Sequence, residues 1–272
     1  MNKKIAFINP NETTNSAATA SLWAQPKRDG YEDLLLKPEY SARKLRFNMG
    51  ANWFRIVPAI EPSAHGWMLP VHTLNYPGGR YAHPRTLRQN VRSAFDHAYG
   101  WIKANNPASL FSKANKEGVR LLTDPTAVCW VIAEESGKLV SRLLVASGYN
   151  AARGGAAGLG YQIWKASREF DENDKLVADA SDPALGTLVC VEKSQPTGSK
   201  FASYAVRVGR QPCPIDGQLA KMDAEEIDVL CPLENVIQDL PEEEQWKRLG
   251  RCIAPDNVET IRASLREMAQ AS

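Results

Sequence analysis

Two apolar runs joined by a three-residue turn constrain this chain most. Thr126 to Glu134 and Lys138 to Ala146 flank Glu135-Ser136-Gly137, a spacing that commits both runs to an antiparallel hairpin. Within the first run, Val128-Cys129-Trp130-Val131-Ile132 is apolar on both faces, so Trp130 is expected in the core. Other strand-like stretches surround this hairpin. Leu45 and Phe47 alternate with Lys44, Arg46 and Asn48. Between Trp53 and Ile60 the residues Phe54, Ile56 and Ile60 fall on one face, leaving Trp53 and Arg55 on a shared opposite wall. Trp67 to Leu74 is a third candidate, closed by the turn Asn75 to Tyr81. Gly186 to Glu192 and Phe201 to Val208 form a last pair around Gln195-Pro196-Thr197-Gly198.

Pro84 stands where a helix begins, with Leu87, Val91, Ala94, Phe95, Ala98 and Ile102 at helical spacing and Asn105-Asn106-Pro107 to end it. On that reading Arg85, Arg88 and Arg92 form one exposed basic ridge. Pro107 to Gly118 reads as a short second helix and Tyr161 to Phe170 as another. Residues 1–40 read as an N-terminal arm, 41–212 as a β-rich core with a helical insertion around 84–118, and 213–272 as an acidic helical region broken at Pro232, Pro241 and Pro255. The fold class is β-rich α+β. The strand count and hairpins suit a small, partly open barrel with a helical excursion, followed by an α-helical C-terminal region.

Charge is divided along the chain. Residues 1–210 hold 27 Lys and Arg against 18 Asp and Glu, a balance of +9; residues 211–272 hold 6 against 13, a balance of −7. The basic body attracts phosphates, and the acidic region repels them or competes for the same basic surface. Between Arg80 and Arg120 lie eight Lys and Arg but only the acids Asp96 and Glu117, interleaved with Tyr81, Phe95, Tyr99, Trp101 and Phe111. Cations beside flat rings are what single-stranded nucleic acid uses. Phe95, on the apolar helix face, reads as core, whereas Tyr76, Tyr81, Tyr99, Phe201 and Tyr204 lie beside turns or basic residues, where stacking and packing compete evenly.

Other chemistries lack their residues. The tract Gly154 to Gly160 has neither the G-x-G-x-x-G spacing nor a Walker lysine, Tyr161 standing in its place, so it reads as a loop or helix start. His65, His72, His83 and His97 have no cysteine partner at ligand spacing, so no metal and no other cofactor is expected. There is no G-x-S-x-G elbow, Glu134 and Glu135 read as solvated, and Glu242-Glu243-Glu244 reads as the favourable start of a helix, so no enzyme is expected. Five cysteines, an odd number without a Cys-x-x-Cys pair, point to a reduced intracellular protein. The apolar run Ile5 to Ile8 is short for a signal peptide and Ala127 to Ala133 short for a membrane span, so neither secretion nor a membrane is expected.

Several motifs resemble the single-stranded-DNA-binding, helix-destabilising proteins of tailed bacteriophages. Trp53-Phe54-Arg55-Ile56-Val57-Pro58-Ala59 is similar to their Arg-apolar-apolar-Pro-Ala strand, and Ser136-Gly137-Lys138-Leu139-Val140 to their Gly-Lys hairpin. Tyr161-Gln162-Ile163-Trp164-Lys165 is similar to their Ile-Trp helix. Asp182-Pro183-Ala184-Leu185-Gly186 and Gly198-Ser199-Lys200-Phe201-Ala202-Ser203-Tyr204 look like their Pro-x-x-Gly strand and its Phe-x-x-Tyr sequel. Order and spacing agree over about residues 42–250.

The resemblance implies an OB-fold core that holds single-stranded DNA without reading sequence, in replication, recombination and repair. By motif position it brings Arg55, Arg142, Phe201 and Tyr204 to the DNA cleft. With the residues read from charge and rings, the expected interface is Arg46, Trp53, Arg55, Tyr76, Arg80, Tyr81, Arg85, Arg88, Arg92, Tyr99, Arg142, Lys165, Lys200, Phe201 and Tyr204. The zinc site that some members carry lacks its cysteines here. Replication proteins docking on the acidic C-terminal region, and self-association along DNA, are the further partners implied. The alternatives are a structural or adaptor protein of phage replication or assembly, and a nucleic-acid-processing enzyme.

Overall fold

A computed structural model describes residues 31–63, 66–76, 79–88, 91–105, 122–148, 158–199, 201–251, 253 and 255–270. In chain order the elements are β1 (Glu32–Leu34), α1 (Pro38–Ser41), β2 (Gly50–Ile56), β3 (Leu69–Tyr76), β4 (Gly79–Ala82), a 3₁₀ turn (Pro84–Thr86), α2 (Ala94–Asn105), β5 (Leu122–Glu135), β6 (Lys138–Ser147), α3 (Leu159–Ala166), β7 (Arg168–Phe170), β8 (Leu176–Asp179), β9 (Thr187–Ser194), β10 (Ser203–Pro212), α4 (Ile215–Leu219), α5 (Ala224–Asp228), α6 (Leu233–Val236), α7 (Glu242–Leu249) and α8 (Pro255–Gln270). The protein is mixed α+β, its main sheet mostly antiparallel and not closed. The compact units do not follow the chain in consecutive blocks. One comprises 36–71 and 125–237; the other comprises the segments up to 35, 72–124 and from 238 onward.

In the first unit the strands run β6-β5-β2-β9-β10, every neighbouring pair antiparallel. The β5–β6 hairpin closes as the sequence predicts, with Ser136 at φ 52° and Gly137 at φ 79°, the left-handed pair that a tight primed turn requires. Alternation along β2 sends Phe54 and Ile56 into a core with Val131, Ala133, Leu144, Val189 and Val191. Each of the larger side chains among them, Ala133 excepted, contributes about 1.5–3 kcal/mol by leaving water. Helix α3 buries Ile163 in this core and packs against β6 and β10. Trp130, buried as expected, donates its indole N–H to the Cys231 carbonyl at 2.9 Å and meets Tyr40 edge-on.

The stretch around Leu45 and Phe47 lies outside any named strand; Lys44 makes one isolated bridge, to Leu143. The expected helix at 161–170 stops at Ala166, and the chain turns into the β7–β8 hairpin. Prolines 232, 241 and 255 stand at helix starts: the first two directly precede α6 and α7, and the third opens α8.

In the second unit β4 pairs antiparallel with β3 and parallel with β1, and α2, α7 and α8 cover a core containing Tyr76, Tyr81 and Phe95. The helix expected from Pro84 is here a single 3₁₀ turn, and α2 begins ten residues later. Ser93 explains the delay. Its hydroxyl accepts the Asp96 N–H at 3.1 Å, while the Asp96 carboxylate accepts the Ser93 N–H at 2.8 Å, a reciprocal cap that fixes the helix start. His83 completes the lock: Nε2 lies 2.5 Å from Asp96, and Nδ1 accepts the Arg85 N–H at 3.1 Å.

Burial raises the Asp96 pKa, but the His83 and Ser93 hydrogen bonds outweigh it and bring the group from 3.8 down to about 2. A depressed carboxylate stabilises the fold above its unfolded pKa, and that stability is lost as pH falls from about 3.8 towards 2. Asp96→Ala is expected to lower unfolding free energy at pH 7 by about 1–2 kcal/mol, measured by urea denaturation. The deficit relative to the parent shrinks as the pH falls through that window.

Candidate nucleic-acid interface

The sheet end formed by the start of β2 and the β9–β10 hairpin gathers exposed rings and cations. In register, Trp53 stands opposite Cys190, which stands opposite Arg207, so all three share one face. The Arg207 guanidinium lies over the Trp53 ring, 5.5 Å from its centroid, and 3.7 Å from Glu192. Trp53 is 43% exposed. Three residues from Arg207, Tyr204 points to the other face; its ring lies 6.0 Å from Phe47, which in turn meets Phe54 at the core margin. Lys193, opposite both Gly50 and Tyr204, donates to the Phe47 carbonyl at 3.0 Å. Asn52 ties the corner together by donating to the Asn48, Gly50 and Val191 carbonyls. Tyr204 is 37% exposed and Phe201, before β10, 81%. Arg46, next to Phe47 in the chain, is exposed as well; Arg210 is exposed too, but it stands at the far end of β10, between Val208 and Pro212, away from this corner.

Of the expected set, Trp53 lies on one face of this corner and Tyr204 on the other, Phe201 lies in the hairpin before β10, and Arg46 precedes Phe47 in the chain. Lys200 lies outside the described residues, as do the Pro107–Gly118 helix, Lys113, Lys116 and Arg120, most of the glycine tract, and residues 1–30 of the arm. Lys165 is exposed on α3. Arg142 forms a bidentate pair with Glu135, 2.8 and 2.5 Å, and stands 4.0 Å from Glu226.

Arg55 is the clearest correction. It is fully buried, donating from Nε to the Cys213 carbonyl at 2.7 Å, from Nη1 to the Ile56 carbonyl at 2.6 Å and to Ala180, and from Nη2 to Asp182. Desolvation lowers its pKa, against the pull of the Asp182 and Asp179 carboxylates. No nucleic acid can reach it. Gly186 permits the arrangement, since a Cβ there would strike the guanidinium and the Asp182 carbonyl.

The second unit corrects the basic ridge. Arg85, Arg88 and Arg92 are exposed, yet they do not share a helix. Arg88 pairs with Asp239 at 2.9 Å, and Arg85 donates to His72 Nδ1 at 3.2 Å. Burial, then the Arg85 charge, holds the His72 pKa below the usual histidine range. Arg80 is clamped in a bidentate pair with Asp33, 3.0 and 2.9 Å. Tyr76 and Tyr81 are core residues, their rings 6.1 Å apart and each within 6 Å of Phe95, so neither can stack on a base. The Tyr76 hydroxyl donates to Glu32, whose pKa is lowered because bonds from Arg251 and the charge of Arg248 overcome its desolvation. Tyr99 is exposed on α2.

Sequence reasoning missed Arg207 and Phe47. The signal for Arg207 was its alternation with Val206 and Val208, but its ring partner depends on the β2–β9–β10 register. Among the described residues no group of three or more His, Cys, Asp or Glu could hold a metal ion, and no helix is long and apolar enough to cross a membrane. No family model matches the chain, and no curated protein matches it significantly.

Arg55→Ala strands several buried carbonyl acceptors, and unfolding free energy is expected to fall by about 3 kcal/mol. Arg46→Ala, at an exposed position, stays within about 0.5 kcal/mol of the parent. Guanidinium denaturation distinguishes the two.

Proposed function

We propose that this chain binds single-stranded DNA without sequence preference, through the β2 and β9–β10 sheet end, and acts as a binder rather than a catalyst. The observation that carries the reading is the set of exposed rings Trp53, Phe201 and Tyr204 at the sheet end that also carries Arg46, Lys193 and Arg207. Rings offer stacking to any base, and cations follow the phosphates and release their counterions.

The strand order lends support. β6-β5-β2-β9-β10, with α3 between the third and fourth of these strands along the chain, is the arrangement an OB-fold takes, a scaffold suited to oligonucleotides. The likeness to phage helix-destabilising proteins agrees with it and suggests a role inside the host cell in replication, recombination and repair. In this reading the acidic C-terminal region is the contact for replication proteins. Arg55 belongs to the scaffold, and phosphate contact falls to Arg46 and Arg207.

Titration of a fluorescent oligothymidylate at two salt concentrations, against duplex of equal length, tests the proposal. Expected is preference for the single strand, with log K falling by about 0.7 per neutralised phosphate for each decade of salt. Phe201→Ala and Tyr204→Ala each cost about 1–3 kcal/mol of binding with little change of salt slope. Equal affinity for duplex, or affinity indifferent to both ring removals, overturns it.

A further inference from the structure

We infer that Arg85 and His72 form a proton-coupled site for a tetrahedral oxyanion, the phosphate of a nucleic-acid backbone or of a small phosphorylated molecule. The site lies in the second unit and does not rest on binding at the β2–β10 end. It begins with an arginine whose partner differs from those of its neighbours. Arg80 and Arg88, before and after it in the chain, are each answered by a carboxylate, Asp33 and Asp239, at 2.9 Å. Arg85 is exposed, and among the described residues it pairs with no carboxylate. Its Nη2 donates instead to His72 Nδ1 at 3.2 Å. A guanidinium has only protons to give, so Nδ1 carries none, and the ring it meets is an imidazole protonated at Nε2.

Hydrogen bonds around the 3₁₀ turn keep the two side chains together. His72, within β3, donates its main-chain N–H to Thr86 Oγ1 at 3.0 Å, and its carbonyl accepts the His83 N–H at 2.6 Å. Arg85 is fixed from the other side, its own N–H donating to His83 Nδ1 at 3.1 Å. His83 is buried, and its Nε2 engages Asp96 of α2, so that carboxylate answers His83 and not His72. Three influences hold the His72 pKa below the usual histidine range: burial first, then the Arg85 charge, then His83. When His72 takes up a proton, Nδ1 turns from acceptor to donor, the bond from Arg85 is lost, and two cations stand side by side. An oxyanion resolves the conflict. One of its oxygens accepts from the imidazolium Nδ1–H and another from the guanidinium, giving two charge-assisted hydrogen bonds. Binding therefore takes one proton from solvent for each anion. Affinity rises as pH falls, by about tenfold per pH unit between the His72 pKa of the empty site and that of the filled one.

A nuclear magnetic resonance titration of the histidine ring signals of the full chain, with sulfate as the probe, tests the site. Sulfate stays doubly charged throughout the range in which histidine titrates, whereas phosphate does not. Expected is a His72 pKa that rises when sulfate replaces chloride at constant ionic strength. Arg85→Ala titrates at higher pH without sulfate, because the repelling charge is gone, and loses the response to sulfate. Arg85→Lys keeps the charge and a weaker response. Calorimetry in buffers of different ionisation enthalpy finds a proton taken up with sulfate by the parent and none by His72→Gln. A His72 pKa indifferent to sulfate, or an Arg85→Ala variant that responds as the parent does, overturns the inference. A second arm replaces sulfate by an oligothymidylate: a rise with both assigns the site to nucleic-acid phosphates, and a rise with sulfate alone assigns it to a small phosphorylated molecule. Oligothymidylate affinity of Tyr204→Ala reports on the sheet end and not on this site, so the two readings fail separately.

Discussion

The buried guanidinium of Arg55 organises one whole side of the sheet. It reaches the Ile56 carbonyl on its own strand, the Ala180 and Asp182 carbonyls beyond the β7–β8 hairpin, and the Cys213 carbonyl where β10 gives way to α4. Removing such a charge from water costs several kcal/mol, and the cost is met here by carbonyl dipoles arranged around the planar fork. Lysine could not reproduce this, because one ammonium cannot address acceptors spread over so many directions. The Arg-apolar-apolar-Pro and Asp-Pro-x-x-Gly motifs are therefore two halves of one contact, joined where Asp182 accepts from Arg55 and Gly186 leaves room for it. They mark how the chain folds, not what it touches.

That distinction decides how much was legible in the sequence. The β5–β6 hairpin was readable because alternation and a Ser-Gly turn specify it within twenty-five residues. The burial of Trp130 was readable because its run is apolar on both faces. The helix at 84–105 was misread over its first half: helical spacing is a periodicity, whereas the start of α2 is fixed by hydrogen bonds among Ser93, Asp96 and His83 that no period encodes. Tyr76 and Tyr81 sit beside turns and arginines along the chain, but the β3–β4 pairing turns their rings towards Phe95. Arg55 was misplaced for a related reason. Alternation correctly put it opposite the core face, and the distant segments at 180–186 and 213 come over it there.

Charge counted along the chain overstated the free basic surface. Within the first unit, Glu226 pairs with Arg43 at 2.8 Å, Asp223 with Lys138 at 3.2 Å, and Glu135 with Arg142. Within the second, Asp33 holds Arg80 and Asp239 holds Arg88. Acids of the C-terminal region thus neutralise cations that precede Arg210. Exposed pairs of this kind, such as Lys138 with Asp223, contribute about 0–1 kcal/mol, little enough for a phosphate to exchange with the carboxylate. Buried or bidentate ones, such as Arg80 with Asp33, are committed to the fold.

What distinguishes the β2–β10 end is that its rings occupy both faces of the sheet. Trp53 of β2, beneath Arg207, lies on one side and Tyr204, beside Phe47, on the other, Arg207 and Tyr204 being three residues apart along β10. A flexible polyanion passing the hairpin tip by Phe201 could engage both faces by bending around the end, while a rigid duplex would meet one face only. In the proposed DNA-binding reading, discrimination between single and double strands would follow from the stiffness of the ligand rather than from any contact to a base edge. The same openness on two faces leaves apolar rings in water when the end is empty, a condition that favours any partner able to cover them.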